Sequence, residues 1–492
     1  MRLADLLERA GLAADGAGEV AVTGFAIDHR KVAPGTVFGA FKGTKFNGED
    51  FIPAAVGAGA VAVVARPEAR VEGALHIADA EPRRAFARAA AGFFSPFPDT
   101  IVAVTGTNGK TSTVEMARQI WRMGGERAAS IGTLGVTTPD GSLSTGLTTP
   151  DIVTFLANMS GLAREGVTHV AYEASSHGLS QYRNEGLMVR ASAFTNFSRD
   201  HLDYHGTMEA YFAAKMRLFT EVVVPGSPAV IWDGGEASEW TARAIAEASA
   251  RGLDVRTVGE RGTFLRLSER VPGQLGQVLT IDHAAETRKV NLPLIGAYQA
   301  ANALVAAGLA MATGMEASAV FDALTRLQPV RGRLERAAIN PAGAPAYVDY
   351  AHTPDALEAA VAALRPHVGE GGRLIVVFGA GGDRDAGKRA EMGAVAVRTA
   401  DLAIITDDNP RSEDPAAIRA AILDGAGNRA REIGDRREAI AAAIAEAGAR
   451  DIVLIAGKGH EQGQIFGAGE TMRIEAFDDV EVARQCAGSI HS

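Results

Sequence analysis

Short apolar runs alternate with alanine-rich stretches along most of the chain. Strand-like runs stand at 101–104, 167–172 and 191–195, and three apolar runs follow at 373–379, 402–407 and 451–457. Between them, apolar residues recur at helical spacing, as at 208–219 and 297–312. This alternation predicts parallel β-sheets flanked by helices, with candidate sites in the polar loops that follow the strands.

Two proline-containing boundaries divide the chain into three blocks. The first block has strand-like runs at 20–22, 36–41 and 61–64 and opens with a charged amphipathic helix. It closes at Phe94-Ser-Pro-Phe-Pro98, and Gln328-Pro-Val-Arg-Gly-Arg333 marks the second boundary. We therefore predict three α/β domains: residues 1–97, a central domain with a parallel sheet over 98–330, and a Rossmann-like domain over 331–492.

Composition narrows the class of protein. The chain has 492 residues, of which 47% are hydrophobic and 22% charged, and a net charge of −10. That charge argues against nucleic acid as a partner, because phosphate backbones require clustered cations. The lone Cys486 excludes an internal disulfide framework and a multi-cysteine zinc site. No apolar run approaches the roughly 20 residues of a membrane span, so we expect a cytoplasmic protein.

The segment Thr105-Gly-Thr-Asn-Gly-Lys-Thr-Ser112 follows a β-branched strand and precedes a helix expected from about Val114. Turn amides and a helix N-terminus would face a phosphate, Lys110 would bridge the terminal phosphates, and the Thr111 hydroxyl would hold Mg²⁺. The usual phosphate loop has glycine where Val104 stands. The alternative is an ordinary strand–helix connection. We favour a variant phosphate loop, because glycine, lysine and threonine occur in the required order.

Three polar features follow this loop in the sequence. Glu173 ends a predicted strand and is placed to hold a nucleotide-bound metal, or is a solvated strand-end carboxylate. The segment 196–205 contains two histidines and two aspartates, and a plain polar loop is the alternative. Lys215 shares a helical face with Tyr211, Leu218 and Phe219. It must therefore reach solvent, pair with another group or be chemically modified.

Gly379-Ala-Gly-Gly-Asp-Arg384 resembles a dinucleotide-binding turn but has arginine at the third glycine position. We therefore expect no second cofactor site there.

The phosphate-loop segment resembles the shortened phosphate loop of the Mur ligases. Further stretches resemble motifs of that family in the same order along nearly the whole chain. They are Glu173-Ala-Ser-Ser-His-Gly178, Asp200-His-Leu-Asp203, 296–302, Gly332-Arg-Leu-Glu335, Asp349-Tyr-Ala-His-Thr-Pro-Asp355 and Gly457-Lys-Gly-His-Glu461. The resemblance implies an ADP-forming acid–amino-acid ligase of peptidoglycan precursor synthesis. It would act through an acyl phosphate on small-molecule substrates, as a monomer.

The resemblance also implies roles for individual residues. Two Mg²⁺ sites would use Thr111, Glu173, His201 and a carbamate formed from CO₂ on Lys215; Lys110, Glu173, His201 and Lys215 would be catalytic. The residues implied to bind ATP are Gly106, Thr107, Asn108, Gly109, Lys110, Thr111, Ser112, Asn302, Arg333 and Asp349. The pair before Asn302, commonly histidine–asparagine in the family, is Tyr298-Gln299 here.

The first two blocks would hold the UDP-muramoyl dipeptide. Ile27, His29 and Arg30 are implied at its uridine end, where the family's usual Asp-Ser-Arg is Asp28-His29-Arg30 in this chain. The residues implied to contact the muramoyl peptide are Thr148, Thr149, Ser175, Gln181 and Arg183.

The third block would bind the added amino acid, either meso-diaminopimelate or lysine. Diaminopimelate carries a second carboxylate, which calls for the planar fork of an arginine. Asp408-Asn409-Pro410-Arg411 resembles the diaminopimelate signature, and a solvated loop charge is the alternative for Arg411. Arg384, Gly457 and Glu461 would complete the pocket. The rival functions are the lysine-adding ligase, a folylpolyglutamate-type ligase and a nucleotide switch without ligase activity.

Overall fold

The computed structural model describes residues 1–13, 15–43, 46–143, 148–235 and 237–488. The chain divides into two compact units. One comprises Met1–Leu265 with Val305–Val320, and the other comprises Arg266–Leu304 with Phe321–Ser492. Both are built from helices around parallel-rich sheets, so the predicted α/β class is confirmed.

The first block of the chain forms a small parallel sheet in the order β1-β2-β3-β4. Its strands are β1 Gly24–Ala26, β2 Thr36–Gly39, β3 Ala60–Ala65 and β4 Leu75–Ala78, and its helices are α1 Leu3–Ala10, α2 Ile52–Gly57 and α3 Pro82–Phe94.

The rest of the first unit is a larger sheet in the order β12-β11-β10-β5-β9-β6-β7-β8. The strands from β12 to β6 run parallel, and β7 and β8 are antiparallel at one edge. The strands are β5 Thr100–Thr105, β6 Ala128–Gly132, β7 Gly135–Thr137, β8 Ser142–Leu143, β9 His169–Glu173, β10 Val189–Phe194, β11 Pro228–Trp232 and β12 Asp254–Gly259. The helices are α4 Lys110–Met123, α5 Ile152–Arg164, α6 Ser176–Ser180, α7 Leu202–His205, α8 Met208–Arg217 and α9 Glu239–Ala250.

The two sheets of the first unit are joined through α3. Its alanine-rich face belongs to one apolar cluster that runs from Leu3 to Leu253. Beside it, Arg84 pairs with Glu185 at 3.2 Å and with Glu221 at 3.4 Å. The first and central blocks therefore share a core, and the predicted boundary at residue 97 stays a prediction.

The second unit contains an antiparallel meander and a mixed sheet in the order β16-β17-β21-β18-β19-β20. In the mixed sheet only β16 runs antiparallel to its neighbour. The strands are β13 Leu265–Gly273, β14 Gly276–His283, β15 Glu286–Leu292, β16 Glu335–Ile339, β17 Pro345–Asp349, β18 Leu374–Phe378, β19 Leu402–Ile405, β20 Ala430–Glu432, β21 Ile452–Ala456 and the hairpin β22 Gly463–Phe466 with β23 Arg473–Ala476. The helices are α10 Ala297–Ala312 and α11 Ala317–Leu324, which the unit boundary crosses, then α12 Pro354–Leu364, α13 Lys388–Thr399, α14 Pro415–Ala426, α15 Arg436–Glu446 and α16 Asp479–Gly488.

Most of the predicted strands form within two residues of the expected bounds, and α10 matches its expected range. Two expectations were wrong. The first strand lies at Gly24–Ala26, because residues 20–22 contribute only an isolated bridge between Arg2 and Ala21. Helix α4 begins at Lys110 and not near Val114, because the last residues of the phosphate loop already form its first turn. No helix in the described ranges is long and apolar enough to cross a bilayer.

A fully buried ion pair ties α15 to α16 in the second unit. Arg436 donates to both carboxylate oxygens of Asp479 at 2.7 Å, and neither side chain is exposed. Arg436 Nη1 also donates to the Asp407 carbonyl oxygen, and Arg436 Nη2 donates to the Ala456 carbonyl oxygen. The pair therefore links both helices to the ends of two strands.

We expect Arg436→Met to lower the free energy of unfolding by about 3–5 kcal/mol, because it leaves the Asp479 carboxylate buried without its partner. Urea denaturation measures this change. Arg437→Met on the same helix is the matched control, since Arg437 is exposed and hydrogen-bonds to Gln485 at the surface. Equal losses in the two variants would contradict the structural role of the pair.

Candidate active site

The phosphate loop lies between β5 and α4 and is held in place by the segment that follows the neighbouring strand β10. The Thr107 N–H donates to the Asn196 carbonyl at 2.9 Å, and the Asn108 N–H donates to the Asn196 side chain at 2.9 Å. The Thr195 hydroxyl donates to the Asn108 carbonyl at 2.6 Å. Gly106 has a φ of 140°, and a Cβ there would lie 2.0 Å from the Thr195 hydroxyl. Only glycine fits this close approach.

Two lysine side chains donate to the same carbonyl oxygen at the start of the loop. Lys110 Nζ lies 2.9 Å from the Gly106 oxygen and 2.8 Å from the Thr107 oxygen. Lys215 Nζ, from α8, lies 2.7 Å from the Gly106 oxygen. Two lysine side chains therefore gather beside the amides at the N-terminus of α4, where buried Thr111 and Ser112 begin the helix. This arrangement favours a polyanion.

Lys215 does not reach solvent. Its side chain is 1% exposed and lies 4.4 Å from the centre of the Tyr211 ring. Burial lowers the pKa of Lys215 well below its usual value, and the charge of Lys110 lowers that pKa further. The simple alternative, an ammonium that snorkels to water, is therefore wrong. The neutral amine that burial favours is the form that reacts with CO₂.

Glu173 is the last residue of β9 and is buried, so it is not a solvated strand-end carboxylate. Its register partner on β5 is Val104, immediately before the phosphate loop. The carboxylate accepts the Thr133 N–H at 2.7 Å through one oxygen and the Thr133 hydroxyl at 3.3 Å through the other. Thr133 in turn contacts the Thr148 hydroxyl at 3.1 Å.

Histidine and tyrosine rings cluster beside the loop. His177 lies 5.0 Å from His201 and 5.5 Å from His205, measured between ring centres, and Tyr204 and Tyr211 extend the cluster. His201 is half exposed and has a φ of 51°. Burial lowers the pKa of His201, with Asp200 opposing and Lys110 reinforcing the shift. Burial lowers the pKa of His205 to about 4, and its histidine neighbours add to that effect.

The oxygen donors near the loop suit Mg²⁺, which prefers carboxylate, hydroxyl and water ligands. Thr111 and Glu173 supply a hydroxyl and a buried carboxylate. In the described ranges no group of three histidine, cysteine, aspartate or glutamate side chains is placed to hold a metal ion. A carbamate on Lys215 would add the anionic oxygens that the unmodified side chain lacks, so the residues present fit the ion only with that modification.

The residues implied to contact the muramoyl peptide form one connected chain of hydrogen bonds. The Thr149 hydroxyl donates to the Glu173 carbonyl at 2.8 Å and contacts the Ser175 hydroxyl at 2.9 Å. Arg183 donates to the Thr149 carbonyl at 2.7 Å and to Gln181 Oε1 at 2.7 Å. The structure thus connects these four residues to the main-chain carbonyl of Glu173 at the end of β9.

The first block contains a cavity of about 630 Å³. Ile27, His29 and Arg30 all line it, together with Phe51 from the 3₁₀ turn after β2 and Thr154 from α5. The His29 imidazole stacks on the Phe51 ring with centres 4.5 Å apart and planes 3° from parallel. Arg30 forks onto Asp28 and, with a backbone bond, lowers the pKa of that carboxyl to about 2. The cavity therefore offers a flat aromatic wall and a cation.

In the second unit, the turn that carries Arg333 is fixed by Asp349. One carboxylate oxygen of Asp349 accepts the Leu334 N–H at 2.8 Å and the other accepts the Ala351 N–H at 2.9 Å. The Arg333 guanidinium lies 5.3 Å from the centre of the Tyr350 ring, and its buried Nε has no hydrogen-bond partner among the described residues. An unpartnered, cationic N–H fits an anionic ligand.

The loops after β19 and β21 meet in the second unit. Asn409 donates to Glu461 Oε2 at 2.8 Å, and the Asp408 carboxylate lies so near Gly457 that a Cβ there would stand 2.5 Å from it. Lys458 is fully buried and donates to Asn409 Oδ1 at 2.9 Å. The four predicted residues Asp408, Asn409, Gly457 and Glu461 are therefore brought together.

Arg411 is positioned by backbone contacts on both sides. Its N–H donates to the Ile465 carbonyl at 3.0 Å, and its guanidinium donates to the Gly382 carbonyl at 2.8 Å. A Cβ at Gly382 would lie 1.9 Å from the Pro410 carbonyl, which explains this glycine without a dinucleotide site. Arg411 is only half exposed, so it is not a freely solvated loop charge, whereas Arg384 is exposed.

Sequence reasoning missed several residues that orient the predicted ones. Thr133 follows β6, next to β9 in the sheet, so a search of neighbouring strand ends could have found it. Lys458 was visible as a lysine directly after a buried strand. Gln299, whose side-chain amide binds Asn302, was marked in the sequence only as a departure from the family's usual pair.

Comparisons with family models, with related sequences and with solved structures all indicate the same family. The chain matches Mur ligase family, catalytic domain over residues 21–93, Mur ligase middle domain over 104–310 and Mur ligase, glutamate ligase domain over 332–459. It is 59% identical over 464 residues to the UDP-N-acetylmuramoyl-L-alanyl-D-glutamate–2,6-diaminopimelate ligase of Zymomonas mobilis, covering 94% of each chain. The ligase of that name from Bradyrhizobium diazoefficiens is 52% identical over 472 residues, or 95% and 96% of the two chains. A solved structure of a ligase with the same name gives a TM-score of 0.73 at 33% identity, covering 96% of both chains.

We expect Gly132→Ala to weaken binding of Mg²⁺–ADP by about tenfold or more, because the added Cβ would lie 2.1 Å from Glu173 Oε1 and displace that carboxylate. Isothermal titration calorimetry at several Mg²⁺ concentrations measures the effect. Gly161→Ala, inside α5 with no atom within 4 Å of the new Cβ, is the control. If both variants bind Mg²⁺–ADP like the parent, the Glu173 carboxylate is not a metal ligand.

Proposed function

The chain belongs to the Mur ligase family, and we propose that it adds meso-2,6-diaminopimelate to UDP-N-acetylmuramoyl-L-alanyl-D-glutamate with consumption of ATP. The hydrogen bonding of the Arg411 guanidinium is the observation that supports diaminopimelate, and not lysine, as the added amino acid. Its Nη1 is held by the Gly382 and Asn409 carbonyls, and no described residue accepts from its Nε or Nη2. That edge of the guanidinium is available to grip a carboxylate through two parallel hydrogen bonds.

The phosphate loop supports the first chemical step. Lys110 and the amides at the start of α4 would bind the ATP phosphates, and Mg²⁺ held by Thr111 and Glu173 would neutralise their charge. The γ-carboxylate of the D-glutamyl residue attacks the γ-phosphorus. A new O–P bond forms, the bond from the γ-phosphorus to the bridging oxygen of ADP breaks, and an acyl phosphate results.

The second step joins the amino acid. The diaminopimelate amine attacks the activated carbonyl, a C–N bond forms, inorganic phosphate leaves, and the amine gives up a proton. His201, His205, Asp349 and Glu461 are candidates for accepting that proton, as is water. The hydrogen-bonded chain from Thr149 to Arg183 would hold the dipeptide so that its carboxylate points at the phosphate.

Lys215 would serve as a carbamate. Its neutral amine attacks the carbon of CO₂, an N–C bond forms, and loss of a proton leaves an anionic carboxylate group. This group would complete a second Mg²⁺ site with His201. The buried position of Lys215 and its lowered pKa support this assignment, because an unmodified ammonium there is destabilised.

The cavity of the first block would receive the uridine end of the substrate. A base can lie against the flat surface made by His29 and Phe51, and Arg30 offers charge for the diphosphate. A folylpolyglutamate-type ligase would not need this block or the Asp408–Arg411 signature. A nucleotide switch would leave the charged pocket of the second unit without a ligand.

One assay separates these three functions. ADP release should require both the UDP-muramoyl dipeptide and diaminopimelate, with neither sufficient alone. ADP release that responds to neither compound would overturn the proposed reaction.

We expect Lys215→Ala to reduce turnover more than about 100-fold, because it removes a metal ligand. Millimolar acetate or formate should restore part of the activity by supplying the missing carboxylate. Lys289→Ala, an exposed lysine on β15, is the control and should behave like the parent. Failure of every short-chain carboxylate to restore activity in a folded Lys215→Ala variant would contradict the carbamate role.

We expect Arg411→Lys to lower kcat/KM for diaminopimelate about 10- to 100-fold, because an ammonium cannot form two parallel hydrogen bonds to the distal carboxylate. Activity with lysine as the added amino acid should change far less. Arg398→Lys on α13, which forms an ion pair with Glu358 at the surface, is the control. Equal losses of kcat/KM with the two amino acids would contradict the proposal that Arg411 binds the distal carboxylate of diaminopimelate.

A further inference from the structure

The N-terminal end of α10 is anchored by two buried side chains. The Gly296 N–H donates to His367 Nε2 at 2.9 Å, and Gln277 Nε2 donates to the carbonyl oxygens of Leu294 and Gly296 at 2.9 and 3.0 Å. Gln299 and Asn302 follow one helical turn apart, and they are 1% and 4% exposed. The first turn of this helix therefore presents two buried amide side chains from a fixed backbone.

The hydrogen bonds of these amides have only one consistent direction. Gln299 lies 2.7 Å from the carbonyl oxygen of Arg333, which can only accept, so its NH₂ group must donate there. Its Oε1 therefore faces Asn302, whose NH₂ group donates to it at 3.1 Å. One backbone carbonyl thus fixes the orientation of both amides, without any choice between the O and N positions.

The consequence is that Asn302 turns its carbonyl oxygen away from Gln299. No described residue donates to that Oδ1 atom. If the Asn302 amide were rotated by half a turn, its oxygen would face Gln299 Oε1, and two acceptors would oppose each other in a buried place. This alternative costs a buried hydrogen bond and adds a repulsion.

We propose that Gln299 is a positioning residue, which orients Asn302 so that the Asn302 carbonyl oxygen accepts a hydrogen bond from the nucleotide base. This orientation selects a 6-amino purine over a 6-oxo purine. This rests on the proposed function and on the implied role of Asn302 in binding ATP, which we take to be contact with the base. Adenine carries a 6-amino donor, which the fixed oxygen accepts. Hypoxanthine and guanine carry a 6-oxo acceptor, which the same oxygen repels.

The length of the side chain is central to this role. Gln299 reaches the Arg333 carbonyl on one side and Asn302 on the other. It therefore also links the base-reading amide to the turn that holds the Arg333 guanidinium.

Binding of ADP and of inosine diphosphate to the full chain with Mg²⁺, measured by calorimetry, tests the proposal. The parent should prefer ADP by about tenfold or more, the worth of one buried hydrogen bond. Gln299→Met, of similar size and without the amide, should lose most of that preference because Asn302 can then rotate. Gln299→Glu keeps an acceptor toward Asn302 and should retain the preference, even with weaker affinity for both nucleotides.

Gln277→Met is the matched control. It removes another buried glutamine that anchors the same helix end but does not contact Asn302, so it should lower stability and leave the ADP preference unchanged. Asn302→Ala should abolish the preference outright. Where Gln299→Met does not fold, as judged by circular dichroism, Gln299→Leu takes its place.

An ADP preference that survives in folded Gln299→Met or Gln299→Leu, or in Asn302→Ala, overturns the proposal. Loss of the preference in Gln277→Met also overturns it, since a general loosening of the helix would then explain the effect. The proposed ligase reaction fails by a different result: ADP release by the parent that ignores diaminopimelate, while the nucleotide preference remains measurable without any peptide substrate.

Discussion

The parallel backbone ladder of β5, β9 and β10 is the constraint on which the site in the first unit depends. Val104 pairs with Glu173 and Thr105 pairs with Phe194, so all three strands end at the same level. The phosphate loop, the Glu173 carboxylate and the segment that holds the loop therefore emerge side by side. Residues nearly 90 positions apart in the chain become neighbours because parallel strands share one carboxyl edge.

Burial of charge is the second organising feature. Lys110 and Lys215 converge on one backbone oxygen, and Lys458 is enclosed beside Asn409 and Glu461 in the second unit. Each buried ammonium is destabilised unless an anion or a chemical change compensates it. In the proposed function a polyphosphate and a carbamate would provide that compensation in the first unit. Internal amide and carboxylate groups provide it in the second, where the lysine orders the pocket.

The side chains predicted to bind ligands are oriented by neighbouring side chains, most of which had no predicted role. Thr133 aims Glu173, Lys458 and Asn409 hold Glu461, and Gln299 sets the direction of Asn302. In each case the orienting group donates or accepts a hydrogen bond that fixes the direction of the functional group. Such contacts decide the precision of the site, since a misplacement of about 1 Å can cost a hundredfold in rate.

The sequence by itself determined the α/β class, the order of most strands and helices, and the phosphate loop, because these follow from local periodicity and contiguous motifs. It also indicated that Lys215 was chemically unusual, since a lysine on an apolar helical face is costly. Only the tertiary structure decided that this lysine is buried against Gly106, that backbone carbonyls hold one side of the Arg411 guanidinium, and that helix α4 starts at Lys110. These outcomes depend on contacts between segments far apart in the chain, which no local pattern encodes.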